Sequence, residues 1–176
     1  MNAAWRESVL NLVRQMPEER VPFEPGKTPV PVSGKVIGAR ELKLMTEAVL
    51  DGWLTTGRFN DMFERGLGEY LGVRHVLTVN SGSSANLLAL AALTSPELGE
   101  RAISRGDEII TAAANFPTTI APIFQIGAVP VFVDAELHTW NADISMLEKA
   151  LSPRTRAVIF ADSLGNPFDA VGVRKF

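Results

Sequence analysis

The first part of the chain carries apolar residues at helical spacing. Between Trp5 and Met16 they recur at intervals of three and four, which predicts one stripe of an amphipathic helix. A proline ends this pattern, and residues 21–31, VPFEPGKTPVP, hold four prolines and one glycine, a composition typical of an extended connector. We predict that residues 1–31 form an appendage that packs on a main domain, residues 32–176, or on a partner subunit.

Two further amphipathic helices are predicted before residue 75. Apolar positions fall on one side of a helix over Ala39–Trp53, and a second, shorter stripe runs from Met62 to Leu71. The loop LTTGRFN separates them because Gly57 interrupts the helical pattern. Asn60, the last residue of that loop, is the predicted N-cap of the shorter helix.

From residue 75 the pattern changes to short apolar runs that alternate with helix-like segments. The predicted strands are HVLTVN, EIITAA, PVFVDA and AVIFADS, and the predicted helices are SANLLALAAL, TTIAPIFQIG and ISMLEKALS. This alternation predicts an α/β fold with a mostly parallel sheet, crossover helices and strands buried on both faces. The last residues, VGVRKF, begin another helix, so we expect the sequence to be a fragment or a truncated reading frame.

Composition narrows the function classes without choosing one. The chain has 176 residues and a net charge of -3, with Lys and Arg scattered along it, which argues against nucleic acid or an anionic membrane as the main partner. It contains no cysteine, so it offers neither a disulfide framework nor thiolate ligands for a metal. No stretch approaches the roughly 20 apolar residues of a membrane span, and we expect a cytoplasmic location.

The strongest local feature is the loop NSGSSAN, residues 80–86, between the first predicted strand and its helix. Small residues there let the backbone approach an anion, which helical amides, the helix dipole and serine hydroxyls then bind. An ordinary strand–helix turn with a serine N-cap explains the same residues equally well. The loop matches neither a P-loop nor a dinucleotide fingerprint.

Three other predicted strands end at the same edge of the sheet. The loop AANFPTT, residues 113–119, carries Phe116, which is suited to stacking on a flat heteroaromatic ligand; alone, it is better explained as a core or lid residue. Asp134 and the turn DSLGNP, residues 162–167, follow the other two strands. One phosphate-shaped loop and one aromatic loop at a shared edge suggest a phosphorylated planar cofactor.

Six collinear blocks carry a family resemblance. They are GWLTTGRFN, YLGV, NSGSSANLLALAAL, GDEIITAAANFPTT, GAVPVFVDAELHTWNAD and SPRTRAVIFADSLGNP. From Gly34 to Pro167 the chain resembles the sugar aminotransferase-like family of fold-type-I pyridoxal-phosphate proteins. It is most similar to the 3-dehydrases that make 3,6-dideoxysugars, since ordinary sugar aminotransferases usually show SGT-A-L in place of SGSSANL.

The resemblance implies roles for particular residues. Gly82, Ser83 and Ser84 match the loop that holds the cofactor phosphate, and Phe116 matches the aromatic residue that stacks on the pyridine ring. Another loop matches a segment near the active-site mouth, in contact with substrate or with the other subunit of a dimer: Trp53, Thr55, Thr56 and Gly57. The resemblance implies no metal site within this chain.

The resemblance also implies a reaction and partners. Such enzymes use pyridoxamine or pyridoxal 5'-phosphate to remove the C3 hydroxyl of a 4-keto-6-deoxy nucleotide sugar, here a CDP-sugar, in O-antigen biosynthesis. They form homodimers, and CDP-sugar members add a reductase partner and a cysteine-ligated [2Fe-2S] cluster. The acidic partner of the pyridine nitrogen, the catalytic His or Lys and the cluster cysteines lie beyond the matched region. We therefore expect no catalytic residue and no turnover from this chain alone.

Two alternatives stay open at this point. The first is a sugar-nucleotide aminotransferase of the same family, which a lysine rather than a histidine at the catalytic position beyond this chain would indicate. The second is a non-catalytic binding or structural remnant, which the uncovered hydrophobic strand edges of a partial sheet disfavour. His75 and His138 do not replace the missing catalytic groups, because their positions predict surface residues. Asp162 departs from relatives, which tend to have a histidine there, and a carboxylate near an anionic cofactor needs a partner.

Overall fold

A computed structural model describes residues 3–17, 22–30, 34 and 36–176. The chain divides into two units, Met1–Leu77 and Thr78–Phe176. The predicted connector, residues 21–31, lies partly outside the described residues, and the boundary proposed at its end stays a prediction. Of the helices in the described part of the chain, none is both long enough and apolar enough to cross a lipid bilayer.

The described residues of the first unit form three helices, α1 (Ala3–Arg14), α2 (Ala39–Asp51) and α3 (Arg58–Leu71). Helix α1 packs on α2, but the residue it buries is Leu10, which lies outside the predicted stripe. Trp5, Leu12 and Met16 of that stripe are each more than half exposed. Helix α2 ends two residues earlier than predicted, because Gly52 adopts a left-handed conformation with φ 66°, which glycine tolerates and which stops the helix.

The N-cap prediction for α3 is wrong. Gly57, in an extended conformation, is the residue that precedes the helix, and Asn60 lies inside its first turn. Arg58 and Phe59 fit the first helical positions because the Arg58 guanidinium lies 4.1 Å from the centre of the Phe59 ring and pairs with Asp51 of α2. This tertiary pairing outweighs the local preference of asparagine for a cap.

The second unit is built on a parallel three-stranded sheet of order β2-β1-β3. Its strands are β1 (Glu108–Ala112), β2 (Val129–Val133) and β3 (Thr155–Ile159). The parallel α/β prediction is confirmed. Burial on both faces holds only for the central strand β1, whose five residues are all buried. The edge strands have one neighbour each, and Phe132 of β2 stays 49% exposed.

Helices cover both faces of the sheet: α4 (Gly82–Ala92), α5 (Pro117–Gln125), α6 (Leu147–Ala150) and α7 (Ala170–Lys175). Successive strand residues point to opposite faces, so Ile109 and Ile110 enter two different clusters. The Ile109 cluster contains α4 and α5 residues and the Ile110 cluster contains α6 residues. The helix predicted to begin in VGVRKF is confirmed as α7.

The predicted strand HVLTVN, residues 75–80, is wrong within this structure, since none of these residues joins the three-stranded sheet. A strand exists only when a neighbouring strand accepts and donates its backbone hydrogen bonds. The described sheet consists of three other strands. The local sequence of residues 75–80 carries no information on whether a neighbouring strand is available for them to pair with.

The amino end of β1 carries a buried carboxylate, and this yields a pH prediction. Ser152 Oγ donates a hydrogen bond to Glu108 Oε2 (2.5 Å), and Arg154 Nη2 lies 2.6 Å from Glu108 Oε1. The hydrogen bond from Ser152, and then the Arg154 guanidinium, hold the pKa of Glu108 below its usual range. Because that folded-state pKa lies below the unfolded value of about 4.3, ionised Glu108 stabilises the fold above pH 4.3, and this contribution is lost as the pH falls further.

We expect Glu108→Gln to flatten the acid side of the stability profile of the Thr78–Phe176 unit. Urea unfolding measured from pH 6 down to pH 3 checks this, with Glu100→Gln as the control, because Glu100 is exposed. An unchanged slope for Glu108→Gln contradicts the assignment.

Candidate functional site

The amino end of α4 is capped by a serine and stays open in front. Ser81 Oγ accepts a hydrogen bond from the Ser84 amide (3.1 Å), and the Ser81 carbonyl accepts one from the Ala85 amide (3.0 Å). The first amides of a helix have no acceptor within the helix, so those of Gly82 and Ser83 remain to bind an anion. The two explanations of this loop therefore coexist: Ser81 caps the helix, and the next two amides face outward.

The space beside Gly82 is open. A Cβ built on Gly82 meets no atom within 4 Å, so packing inside the chain does not require glycine there. Ser83 is exposed and Ser84 is half-buried. The Ser84 hydroxyl contacts Ser81 Oγ at 3.2 Å, so it supports the cap.

Phe116 lies just beyond the carboxyl end of β1, immediately before Pro117 starts α5. Its side chain is 68% exposed, so it is not a core residue. The Asn115 side chain accepts a hydrogen bond from the Phe116 amide (2.8 Å). The loop therefore presents an aromatic ring at the sheet edge, as the sequence predicts.

The serine loop and the aromatic loop are held together. Asn86 Nδ2 of α4 donates a hydrogen bond to the Thr118 carbonyl at the start of α5 (3.2 Å). Residues of both helices line a cavity of about 180 Å³. Ligand pockets usually measure about 300–1,000 Å³, so this cavity is smaller than a typical ligand pocket, and its lining includes Ser83 and Ser84 but not Phe116.

Sequence reasoning missed Asn141, which connects two loops at the carboxyl edge of the sheet. Its side chain is 5% exposed. Asn141 Oδ1 accepts a hydrogen bond from the Ser163 amide and its Nδ2 donates one to the Asn166 carbonyl, both at 3.0 Å. Each loop holds a non-glycine residue at positive φ, Trp140 (60°) and Leu164 (55°). Asparagine is common in loops, so its type alone gave no signal of this role.

Asp162 has a structural use in the turn that follows β3. Its Oδ1 accepts a hydrogen bond from the Phe168 amide (3.1 Å), and its carbonyl accepts one from the Gly165 amide (3.3 Å). The carboxylate thus has a partner within the turn. His75 and His138 are both exposed, which confirms the prediction that they are surface residues.

The predicted mouth loop belongs to the Met1–Leu77 unit. Trp53 Nε1 donates a hydrogen bond to the Thr56 carbonyl (2.7 Å). A Cβ on Gly57 would lie 2.9 Å from Trp53 Cδ1, so the indole occupies the space that a side chain there would need. Thr55 is exposed and, with Trp53 and Gly57, lines a cavity of about 320 Å³. The position of this loop at an active-site mouth stays a prediction.

Comparison with known proteins adds a decisive match. The profile of the DegT/DnrJ/EryC1/StrS aminotransferase family covers residues 35–176. The chain belongs to this family. The chain is 58% identical to the lipopolysaccharide biosynthesis protein RfbH of Salmonella typhimurium over 173 residues. The match covers 97% of this chain and 40% of RfbH.

Two further family relatives have 3-dehydratase in their names. The chain is 48% identical over 153 residues to the dTDP-4-dehydro-2,6-dideoxy-D-glucose 3-dehydratase of Saccharopolyspora spinosa, covering 87% of this chain and 33% of the relative. The crystal structure of GDP-4-keto-6-deoxymannose-3-dehydratase with a trapped PLP-glutamate geminal diamine aligns with a TM-score of 0.75 at 30% identity, over 84% of this chain and 38% of the other. The chain thus spans less than half the length of these relatives, and the fold-type-I assignment is confirmed.

Proposed function

We propose that this chain is the cofactor-phosphate-binding segment of a nucleotide-sugar 3-dehydratase that uses pyridoxamine or pyridoxal 5'-phosphate. The observation that carries the proposal is the open amino end of α4, at Gly82 and Ser83, tied through Asn86 to the loop that exposes Phe116. This arrangement occurs in a family with relatives named as 3-dehydratases. When bound, the cofactor supplies an electron sink that lets a sugar hydroxyl leave from the carbon next to a ketone.

The residues of this chain bind and orient that cofactor. The amides of Gly82 and Ser83 and the Ser83 hydroxyl bind the phosphate, and the dipole of α4 adds a favourable potential for its negative charge. The Phe116 ring packs against one face of the pyridine. Ser81 and Ser84 hold the cap that keeps the amides in place. We assign no catalytic residue to this chain.

The remaining expectations belong to the same proposal. The substrate class is a 4-keto-6-deoxy nucleotide sugar, with a CDP-sugar favoured, and the loop Trp53–Gly57 lies near its entry. The proposal also includes a homodimer, a reductase partner and a cytoplasmic location. A [2Fe-2S] cluster would be held by another part of a longer protein. The description of the matched family as aminotransferases supports one alternative, a sugar-nucleotide aminotransferase.

A chimeric enzyme tests the cofactor assignment. This chain replaces the matching third of the Saccharopolyspora spinosa 3-dehydratase, to which it is 48% identical. We expect the chimera to bind pyridoxal phosphate, and Ser83→Ala and Phe116→Ala each to weaken that binding by about tenfold, since one charge-assisted hydrogen bond or one ring stack is lost. Absorbance titration of the cofactor measures this.

The matched control is Ser104→Ala, because Ser104 is an exposed serine before the amino end of β1. Equal effects of Ser83→Ala and Ser104→Ala, or a folded chimera that binds no cofactor, contradict the proposal. The product of the chimera does not separate the two reactions, because its catalytic residues come from the dehydratase. Mass spectrometry of the product formed by a longer protein that carries this segment separates them: loss of the C3 oxygen supports the dehydratase, and a product that keeps this oxygen and gains an amine supports the aminotransferase.

A further inference from the structure

One carboxylate, Asp51, is shared by the N-terminal helix and the start of α3. Arg6 Nη2 of α1 lies 2.6 Å from Asp51 Oδ1, and Arg58 Nε lies 2.7 Å from Asp51 Oδ2. Asp51 is the last residue of α2 and Arg58 is the first residue of α3. The Asp51–Arg58 pair therefore joins the two ends of the loop that contains Trp53–Gly57, and α1 holds the same carboxylate.

Neighbouring groups reinforce this arrangement. Arg6 Nη2 also donates a hydrogen bond to the Glu47 carbonyl (3.1 Å), and Arg58 Nη2 lies 3.2 Å from Glu47 Oε2. The side chains of Asp51 and Glu47 are only 25% and 16% exposed, so salt screens these pairs less than it screens fully exposed ones. The Arg58 guanidinium, and next the hydrogen bond from Arg6, hold the pKa of Asp51 below its usual range.

The contacts of the loop itself with the described residues are local. They include the hydrogen bond from Trp53 Nε1 to the Thr56 carbonyl, the bond from the Asp61 amide to the Gly57 carbonyl and the packing of the indole against Gly57. The Trp53 side chain is 65% exposed. The conformation of this loop therefore depends on how its two ends are held, which is the role of Asp51.

We propose that Asp51 is a positioning residue through which helix α1 sets the conformation of the loop Trp53–Gly57. With Arg6 in place, Asp51 Oδ1 accepts its short bond from α1 (2.6 Å) and only a longer one from Arg58 Nη2 (3.4 Å), so the short bond from Arg58 Nε goes to Oδ2. When Arg6 is absent, the carboxylate is free to rotate toward Arg58, and the end of α2 shifts with it. The meaning for substrate entry rests on the proposed function of the loop, but the coupling does not require it.

Fluorescence of Trp53 tests the coupling in the 176-residue chain without any cofactor. The chain has three tryptophans, so Trp5→Phe and Trp140→Phe together leave Trp53 as the one tryptophan that fluoresces. In this background we expect Arg6→Gln to raise acrylamide quenching of Trp53 by up to about 1.5-fold, which is the most that a side chain already 65% exposed can gain when one partly exposed ion pair is lost. We expect Asp51→Asn to do the same, the double variant to add nothing further, and Asp51→Glu to restore part of the loss.

The control is Arg14→Gln, because Arg14 also lies on α1 but bonds to Glu7 and Asn11 of its own helix. Circular dichroism checks that the helices remain. Unchanged quenching in Arg6→Gln and Asp51→Asn, or an equal change in Arg14→Gln, overturns the proposal.

If a variant fails to fold, a salt titration of the single-tryptophan chain replaces it. We expect quenching of Trp53 to rise with salt concentration if the ion pairs hold the loop. Quenching that does not change with salt overturns the proposal. Neither result depends on the chimera experiment.

Discussion

Replacing Ile109 with alanine is expected to lower the free energy of unfolding of the Thr78–Phe176 unit by about 2–5 kcal/mol, through lost burial and the cavity left behind. Ile109 is fully buried in the central strand. Its side chain belongs to a buried cluster whose other members come from helices and loops distant in the sequence. These members are Leu90, Ile103, Ile123 and Ala128. Few neighbours can move to fill the space, because a strand paired on both sides holds the backbone in place.

Urea unfolding followed by Trp140 fluorescence measures this loss, with Trp5 and Trp53 replaced by phenylalanine so that only the second unit is observed. Leu137→Ala is the matched control, since this aliphatic side chain is 81% exposed in the same unit, and we expect a change within about 0.5 kcal/mol. Comparable losses in both variants would show that the sheet core is not where the structure places it.

The second large effect is expected for Asn141→Ala, which removes both hydrogen bonds to the turn at residues 163–166. The Ser163 amide and the Asn166 carbonyl lose their partner, and the turn is partly exposed, so we expect a loss of about 2 kcal/mol in the free energy of unfolding. The variant also releases the turn that holds Leu164 at positive φ, a conformation that persists only when its surroundings enforce it. Amide hydrogen exchange at Ser163 and urea unfolding report the two effects.

Asn166→Ala provides the comparison within the same network. Its side-chain amide donates one hydrogen bond, to the Thr139 carbonyl at 3.3 Å, from an exposed position, so its loss should cost less than half as much. Asn141→Ala is also expected to leave the Met1–Leu77 unit unchanged, as judged by Trp53 emission. A loss in Asn166→Ala equal to that in Asn141→Ala would mean that the buried amide does not hold the turn.

Much of the second unit could be predicted because its signals are local or directional. Apolar runs of five residues alternate with helical segments, and a chain that alternates in this way has few arrangements other than parallel strands with crossover helices. Chain direction then brings the carboxyl ends of the strands to one edge, which is why Gly82–Ser84 and Phe116 could be predicted to lie together. The Asn86–Thr118 hydrogen bond confirms that these loops are neighbours.

The errors share one physical cause, which is a dependence on a distant partner. Asn60 has a good N-cap side chain, but the pairing of Arg58 with Asp51 starts α3 earlier. The run HVLTVN has strand composition, but composition does not report whether a neighbouring strand exists. Phe132 has the apolar pattern of a buried strand and stays half exposed, because β2 lies at an edge of the described sheet.

The sequence alone determined the α/β class, the order of most helices and strands, the two loops that form the candidate cofactor site and the resemblance to the matched family. These follow from periodicity, turn chemistry and short collinear motifs, which are all read along the chain. Only the tertiary structure decided that Ser81 caps α4 while Gly82 and Ser83 stay open, that Asn141 holds two loops together, and that Asp51 is shared by Arg6 and Arg58. The Ser81 cap is a local bond that the sequence had left as one of two explanations. The contacts of Asn141 and Asp51 join groups far apart in the sequence that folding brings within hydrogen-bond distance, and local sequence patterns carry no measure of that distance.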